Sequence, residues 1–232
     1  MKTGVLMLHG FSGGPYEVEP FANFLKQQTD WIIHTPTFSG HGDVDQLNMK
    51  GFTAHNWLMD AELAYRKLAK QVDEIVVAGF SMGGIIAIHL AQRYHIKKLV
   101  LLSAAAKYIS PAQLIKDMSL MAVDAYHRAL KDNELFLRYQ HKFRNVPLSA
   151  TIQFMEIVRR TEPYIAHIKC PTYIVQGAID GIVPSITASY IYDKILSTEK
   201  KIYMSENGKH HICYSDDRER WFSEVLKFLQ DR

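Results

Sequence analysis

The hexapeptide Gly79-Phe80-Ser81-Met82-Gly83-Gly84 satisfies the pattern G-x-S-x-G. A serine in that pattern is a candidate nucleophile when a strand leads into it and a helix leads out. Glu74–Ala78 reads as a short apolar strand and Met82–Tyr94 as a helix rich in Ile and Ala, so the setting is met. Glycines at the flanks let strand and helix backbones pass closely through a strained turn. Such a turn lifts the Ser81 hydroxyl above the end of a sheet. It also leaves the N–H of Met82 at a helix N-terminus, where free N–H groups and the helix dipole favour a developing oxyanion. A glycine-rich turn without chemistry can show the same pentapeptide; the strand–turn–helix setting favours the nucleophile.

A serine nucleophile needs a base, and the base needs an orienting carboxylate. After such an elbow the acid and then a histidine are expected, each in a loop beyond a later strand. Thr172–Gln176 reads as a strand and runs into Gly177-Ala178-Ile179-Asp180-Gly181, which makes Asp180 the candidate acid. Taken alone, Asp180 would be an ordinary turn aspartate; its order and loop position give it the larger role. Lys201–Met204 runs into Glu206-Asn207-Gly208-Lys209-His210-His211, so two adjacent histidines compete for the part of base. A further glycine-rich stretch, His9-Gly10-Phe11-Ser12-Gly13-Gly14, follows the apolar run Val5–Leu8. It lacks the G-x-x-x-x-G-K-[ST] pattern of a phosphate loop, which argues against nucleotide binding.

Short apolar runs alternate with longer periodic segments, as in parallel strands joined by helices. The strands are Val5–Leu8, Trp31–His34, Glu74–Ala78, Lys98–Leu102, Thr172–Gln176 and Lys201–Met204. The helices are Pro15–Gln28, Asn56–Ala69, Met82–Tyr94, Ser185–Leu196 and Arg218–Leu229. From about Tyr108 to His167 the pattern is helical, with Met118, Leu120, Met121, Phe136, Phe143 and Phe154, and offers no clear strand. The expectation is an α/β, doubly wound, mostly parallel sheet, with residues 1–107 and 168–232 forming a core and 108–167 inserted between two strands.

The chain has 232 residues and a net charge of only +3, which gives no case for nucleic acid or an anionic membrane surface. Lys97-Lys98 and Lys200-Lys201 are expected at solvated strand edges. Two cysteines, Cys170 and Cys213, are too few for a disulfide framework and are expected as buried free thiols. No segment approaches the roughly 18 apolar residues of a membrane span, and Val5–Leu8 is too short for a signal-peptide core. A cytoplasmic protein without stable membrane insertion is expected.

The elbow, the His-Gly loop, the Asp180 and His210 loops, and Pro36-Thr37-Phe38-Ser39-Gly40-His41-Gly42 together resemble bacterial carboxylesterases and monoacylglycerol lipases of the α/β-hydrolase superfamily. The resemblance runs from the first strand to the last helix and is weakest across the insertion. Counting apolar runs predicts about six or seven strands, a departure from the roughly eight of larger relatives, whose first strands have no counterpart here. The resemblance implies that the insertion is a helical cap, and that the backbone N–H groups of Phe11 and Met82 form the oxyanion hole. Within the resemblance His210 aligns as the base and His211 occupies the following place. His9 then orders its loop, and His41 shapes the sheet edge without chemistry. The implied activity is hydrolysis of a small-molecule carboxylic ester of short to medium acyl chain, through a Ser-His-Asp triad and an acyl-enzyme, with no metal and no organic cofactor. A thioesterase, a C–C bond hydrolase or an acyltransferase can use the same triad. A ligand-binding protein that keeps the fold without turnover is the alternative outside enzymes. In ester turnover assays His210→Ala should abolish activity and His211→Ala should cost far less; the reverse order would move the base to His211.

Overall fold

The structure, a computed structural model, describes residues 2–43, 46–107 and 146–231. Six strands form one sheet: β1 Thr3–Leu8, β2 Ile32–His34, β3 Glu74–Phe80, β4 Lys98–Leu102, β5 Thr172–Gly177 and β6 Lys200–Ser205. Their spatial order is β2-β1-β3-β4-β5-β6, and every neighbouring pair is parallel. Strands covered on both faces must be apolar throughout, which is why β1, β3 and β4 read as unbroken runs. Alternation sends Leu6, Leu8, Val77, Leu99, Leu101 and Ile174 to one face. Val5, Met7, Val76, Ala78, Val100 and Val175 go to the other.

Helices cover both faces, as the alternating pattern requires. The second face packs on α1 (Glu19–Gln28) and on a C-terminal helix, Arg218–Gln230, through Phe21, Leu25, Trp221, Phe222, Val225 and Phe228. The first packs on α2 (Ala54–Ala69), α3 (Met82–Arg93) and α5 (Ile186–Lys194), with α4 (Leu148–Thr161) lying on α2 and α3; the C-terminal helix is α6. The expected helix Pro15–Gln28 divides into a 3-10 turn, Pro15–Glu17, and α1, which has Pro20 in its first turn, where the missing N–H costs nothing. Helix α2 starts two residues before the expected Asn56, because the Asn56 side chain turns back to accept the N–H of Thr53 (2.9 Å). Between β4 and β5, residues 148–167 form α4 and a 3-10 turn, Glu162–His167. The part of the expected cap at 108–145 lies outside the described residues.

Lys98 departs from expectation. Its neighbour Lys97 does sit at the sheet margin and pairs with Glu74. Lys98 opens a central strand, and alternation turns its side chain under α6, where it is only 4% exposed. There the ammonium donates to the carbonyl oxygens of Phe228 (2.6 Å) and Asp231 (2.8 Å) and lies 4.7 Å from the Phe228 ring centre. The last carbonyls of a helix have no partner within it and carry its negative dipole end, so a cation there meets both needs. Lys200 serves α5 in the same way, donating to Tyr192 and Ile195 carbonyls. Lys98→Met should therefore lower unfolding free energy by about 1–3 kcal/mol in urea titration, through orphaned carbonyls under α6. An unchanged midpoint would show that the clamp contributes nothing.

Candidate active site

The turn between β3 and α3 places Ser81 at φ 52° and ψ −115°, a conformation rare for any side-chain-bearing residue. Neighbouring elements impose it. The Ser81 N–H donates to the Leu102 carbonyl at the end of β4 (2.9 Å), and its carbonyl accepts from Gly84 (3.0 Å) and Ala105 (3.1 Å). A Cβ added at Gly79 would collide with the Gly83 carbonyl, and one at Gly83 with the Leu8 carbonyl of β1. The two glycines thus let strand, turn and helix approach within backbone contact.

The loops that follow β5 and β6 bring two further side chains to Ser81. The Ser81 hydroxyl lies 3.1 Å from His210 Nε2, and His210 Nδ1 lies 2.9 Å from Asp180 Oδ2. A carboxylate facing Nδ1 holds the proton there, leaving Nε2 free to accept from the hydroxyl. Asp180 is itself fully engaged. Its Oδ1 accepts the N–H groups of Ile182 (2.8 Å) and Val183 (2.9 Å), and its Oδ2 also accepts from the Gln176 amide (3.0 Å). Burial opposes ionisation of this carboxyl, but His210 and the two backbone amides outweigh it and hold it below its ordinary value. Asp180 is therefore a charged acceptor at neutral pH.

The loop after β1 runs beside Ser81, and Ser12 in it adopts φ 57°. Neither the Phe11 N–H nor the Met82 N–H donates to any described residue. His9 stands behind this loop: its Nε2 accepts the N–H of Phe38 (3.1 Å), so its proton is on Nδ1 and points to the Gly10 carbonyl (2.9 Å). Burial lowers the pKa of His9 and drives that of His41 to about 3, with neighbouring His9 adding to the effect on His41. Both rings are neutral and tie the first loop to residues 38–41. The Phe11 ring stacks on Phe154 of α4 at 5.1 Å and meets Trp57 edge-on at 5.9 Å; both partners are buried, so they anchor the loop that carries Phe11. His211, the rejected neighbour of His210, turns away from Ser81 toward Glu17.

Every site residue expected from the sequence (Ser81, Asp180, His210, Phe11 and Met82) falls in this one region. Gln176 joins these residues without being expected from the sequence, although a polar residue closing the apolar run of β5 is a visible signal. Glu17 joins them too, and nothing near it in the chain marks a buried carboxylate. Among the described residues no group of three His, Cys, Asp or Glu side chains is placed to hold a metal, and no helix is long and apolar enough to cross a membrane.

A family model described as "Serine aminopeptidase, S33" (Hydrolase_4) matches residues 1–217. The chain belongs to this α/β-hydrolase family. Among similar proteins are a thermostable monoacylglycerol lipase of Bacillus sp. strain H-257 and a carboxylesterase of Bacillus subtilis strain 168. The first is 27% identical over 98% of this chain and 90% of its own length. The second is 22% identical over 97% and 92%. Among solved structures, one from work on the metagenome-derived lipolytic enzymes LipS and LipT superposes with a TM-score of 0.79 at 24% identity, covering 100% of this chain and 94% of that one. The monoacylglycerol lipase of Paleococcus ferrophilus gives 0.71 at 14% identity, covering 97% and 93%. The sequence resemblance and the expected fold are both borne out. Within the hydrolase elbow, Gly83→Ala should destabilise by about 1–3 kcal/mol by thermal melting, because backbone must yield. Gly181→Ala, where an added Cβ meets nothing within 4 Å, should be near neutral.

Proposed function

We propose that this hydrolase is a serine carboxylic ester hydrolase, with Ser81 as nucleophile, His210 as base and Asp180 as the group that orients it. The observation that carries the proposal is the unbroken hydrogen-bonded series Asp180–His210–Ser81 at 2.9 and 3.1 Å, with Ser81 held on a strained turn. Ser81 Oγ adds to the ester carbonyl carbon while its proton passes to His210 Nε2. The N–H groups of Phe11 and Met82 receive the resulting oxyanion. They have no described acceptor of their own, so they enter the transition state unencumbered. Collapse breaks the ester C–O bond, and His210 returns the proton to the departing alcohol. Water then attacks the acyl-enzyme with His210 again as base, and Ser81 is regenerated with release of the acid. Asp180 keeps the Nδ1–H tautomer throughout and offsets the imidazolium charge.

The names of the relatives, a monoacylglycerol lipase and a carboxylesterase, support an ester rather than a peptide as substrate, despite the aminopeptidase in the family description. The resemblance implies an acyl chain of short to medium length, and the half-buried Phe11 ring offers such a chain an apolar contact. On this reading α4 belongs to a helical cap over the site. The unpaired cysteines, Cys170 and Cys213, fit a cytoplasmic setting.

Exposure to a fluorophosphonate, followed by intact-mass spectrometry, should give one stoichiometric adduct that is lost in Ser81→Ala. p-Nitrophenyl esters of graded acyl length should be turned over with an optimum at one length, and Ser81→Ala should lose at least about 10³-fold in kcat. A protein that forms no adduct and turns over no ester is a ligand-binding relative instead.

A further inference from the structure

Glu17 takes no part in the chemistry just described, yet it is a carboxylate buried beside it, with a side chain only 5% exposed. Its Oε2 accepts the N–H of Gly10 (2.8 Å), and its Oε1 lies 3.2 Å from His211 Nε2. The loop is wrapped around this group: a Cβ added at Gly13 would run into the carboxyl, and one at Gly10 would lie 3.1 Å from Oε2 and 3.0 Å from the Phe80 ring. That same ring contacts His210 at 5.0 Å and His211 at 5.5 Å between centres. Burying a carboxylate is costly, and an apolar side chain would fill the space more cheaply if packing were the only requirement.

What the carboxylate adds is orientation. Peptide units are planar, so fixing the Gly10 amide leaves only two soft dihedrals between it and the next amide, that of Phe11. On the other side, holding the His211 ring restrains the peptide that joins it to His210. One charged group thereby touches both the loop that presents an oxyanion donor and the loop that presents the base. We propose that Glu17 is a positioning residue, which sets the Phe11 N–H against His210 by clamping Gly10 directly and the base loop through His211. The inference rests on the roles given above to Phe11 and His210.

The test compares the wild-type protein with Glu17→Ala, Glu17→Gln and His211→Ala. It follows kcat and KM on a p-nitrophenyl ester, Tm, and inhibition by an alkyl trifluoromethyl ketone, whose hemiketal oxyanion, formed when Ser81 Oγ adds to the carbonyl, needs the same donors. Glu17→Ala should lower kcat by about tenfold to a hundredfold and weaken the ketone in parallel, with KM within about twofold. Glu17→Gln keeps an acceptor for the Gly10 N–H and offers an amide N–H to His211 Nε2 in its other tautomer, so most of kcat should return, to within about fivefold of wild type. The His211 side chain is 54% exposed, so its removal leaves the fold intact even if Glu17→Ala does not fold. His211→Ala should lower kcat by about threefold to tenfold with unchanged Tm. Equal kcat and equal ketone affinity in folded Glu17→Ala, or an indifferent His211→Ala, overturns the proposal. So does a loss that follows Tm alone and is not rescued by glutamine. A wild-type protein that forms no Ser81 adduct and turns over no ester would instead defeat the underlying functional reading, while an active wild type with indifferent variants defeats only this inference.

Discussion

The strained backbone of Ser81 is the constraint from which the arrangement of the site follows. A serine at φ 52° is unfavourable in isolation and persists only when its surroundings over-determine it. Here three elements do so at once. Strand β4 takes the Ser81 N–H, the segment after β4 donates to its carbonyl, and β1 lies so close to α3 that only glycine fits at position 83. The turn therefore cannot relax without displacing two central strands of the sheet. The Ser81 backbone is thereby held from the centre of the sheet, which presents the hydroxyl to His210.

The parallel sheet explains why the remaining groups converge there. In a sheet whose strands all point one way, every loop leaving a strand's C-terminal end emerges along the same edge. Phe11 follows β1, Ser81 follows β3, Asp180 follows β5 and His210 follows β6. Residues spread over about 200 positions of chain thus meet at hydrogen-bond distance. Each loop is then tied down locally: Asp180 by the amides of Ile182 and Val183 and by Gln176, and the first loop by His9 and Glu17. Rigid elements deliver the groups to within a few ångströms, and these short hydrogen bonds fix the final orientation.

Buried polar side chains in this protein are placed where backbone has no partner of its own. Lys98 occupies the open carbonyl end of α6, Glu17 takes the Gly10 amide, and His9 takes that of Phe38. Unpaired backbone groups away from water are expensive, so a buried charge or ring that satisfies them is tolerated. Three buried side-chain atoms among the described residues lack a partner: His41 Nε2 and the Ser103 hydroxyl, in segments flanking the site, and Gln92 Nε2 near the end of α3. His41 stays neutral there because burial strips away the solvation an imidazolium needs, and the His9 ring beside it adds to the effect.

The sequence by itself determined the sheet, the elbow and the order of the site residues, because each is written in short-range pattern. Doubly covered strands must be apolar without break, the elbow needs its glycines within a few positions of Ser81, and the loop after each strand can be read from the strand's end. Tertiary structure alone decided whatever depends on partners distant in the chain. Lys98 differs from its neighbour Lys97 at the sheet margin, because its partner is a carbonyl 130 residues away. His210 and His211 share one local environment in sequence; only the fold turns one ring to Asp180 and Ser81 and the other to Glu17, 194 positions earlier. Side-chain direction is set by what packs on each face, and residue order does not contain that until the faces meet.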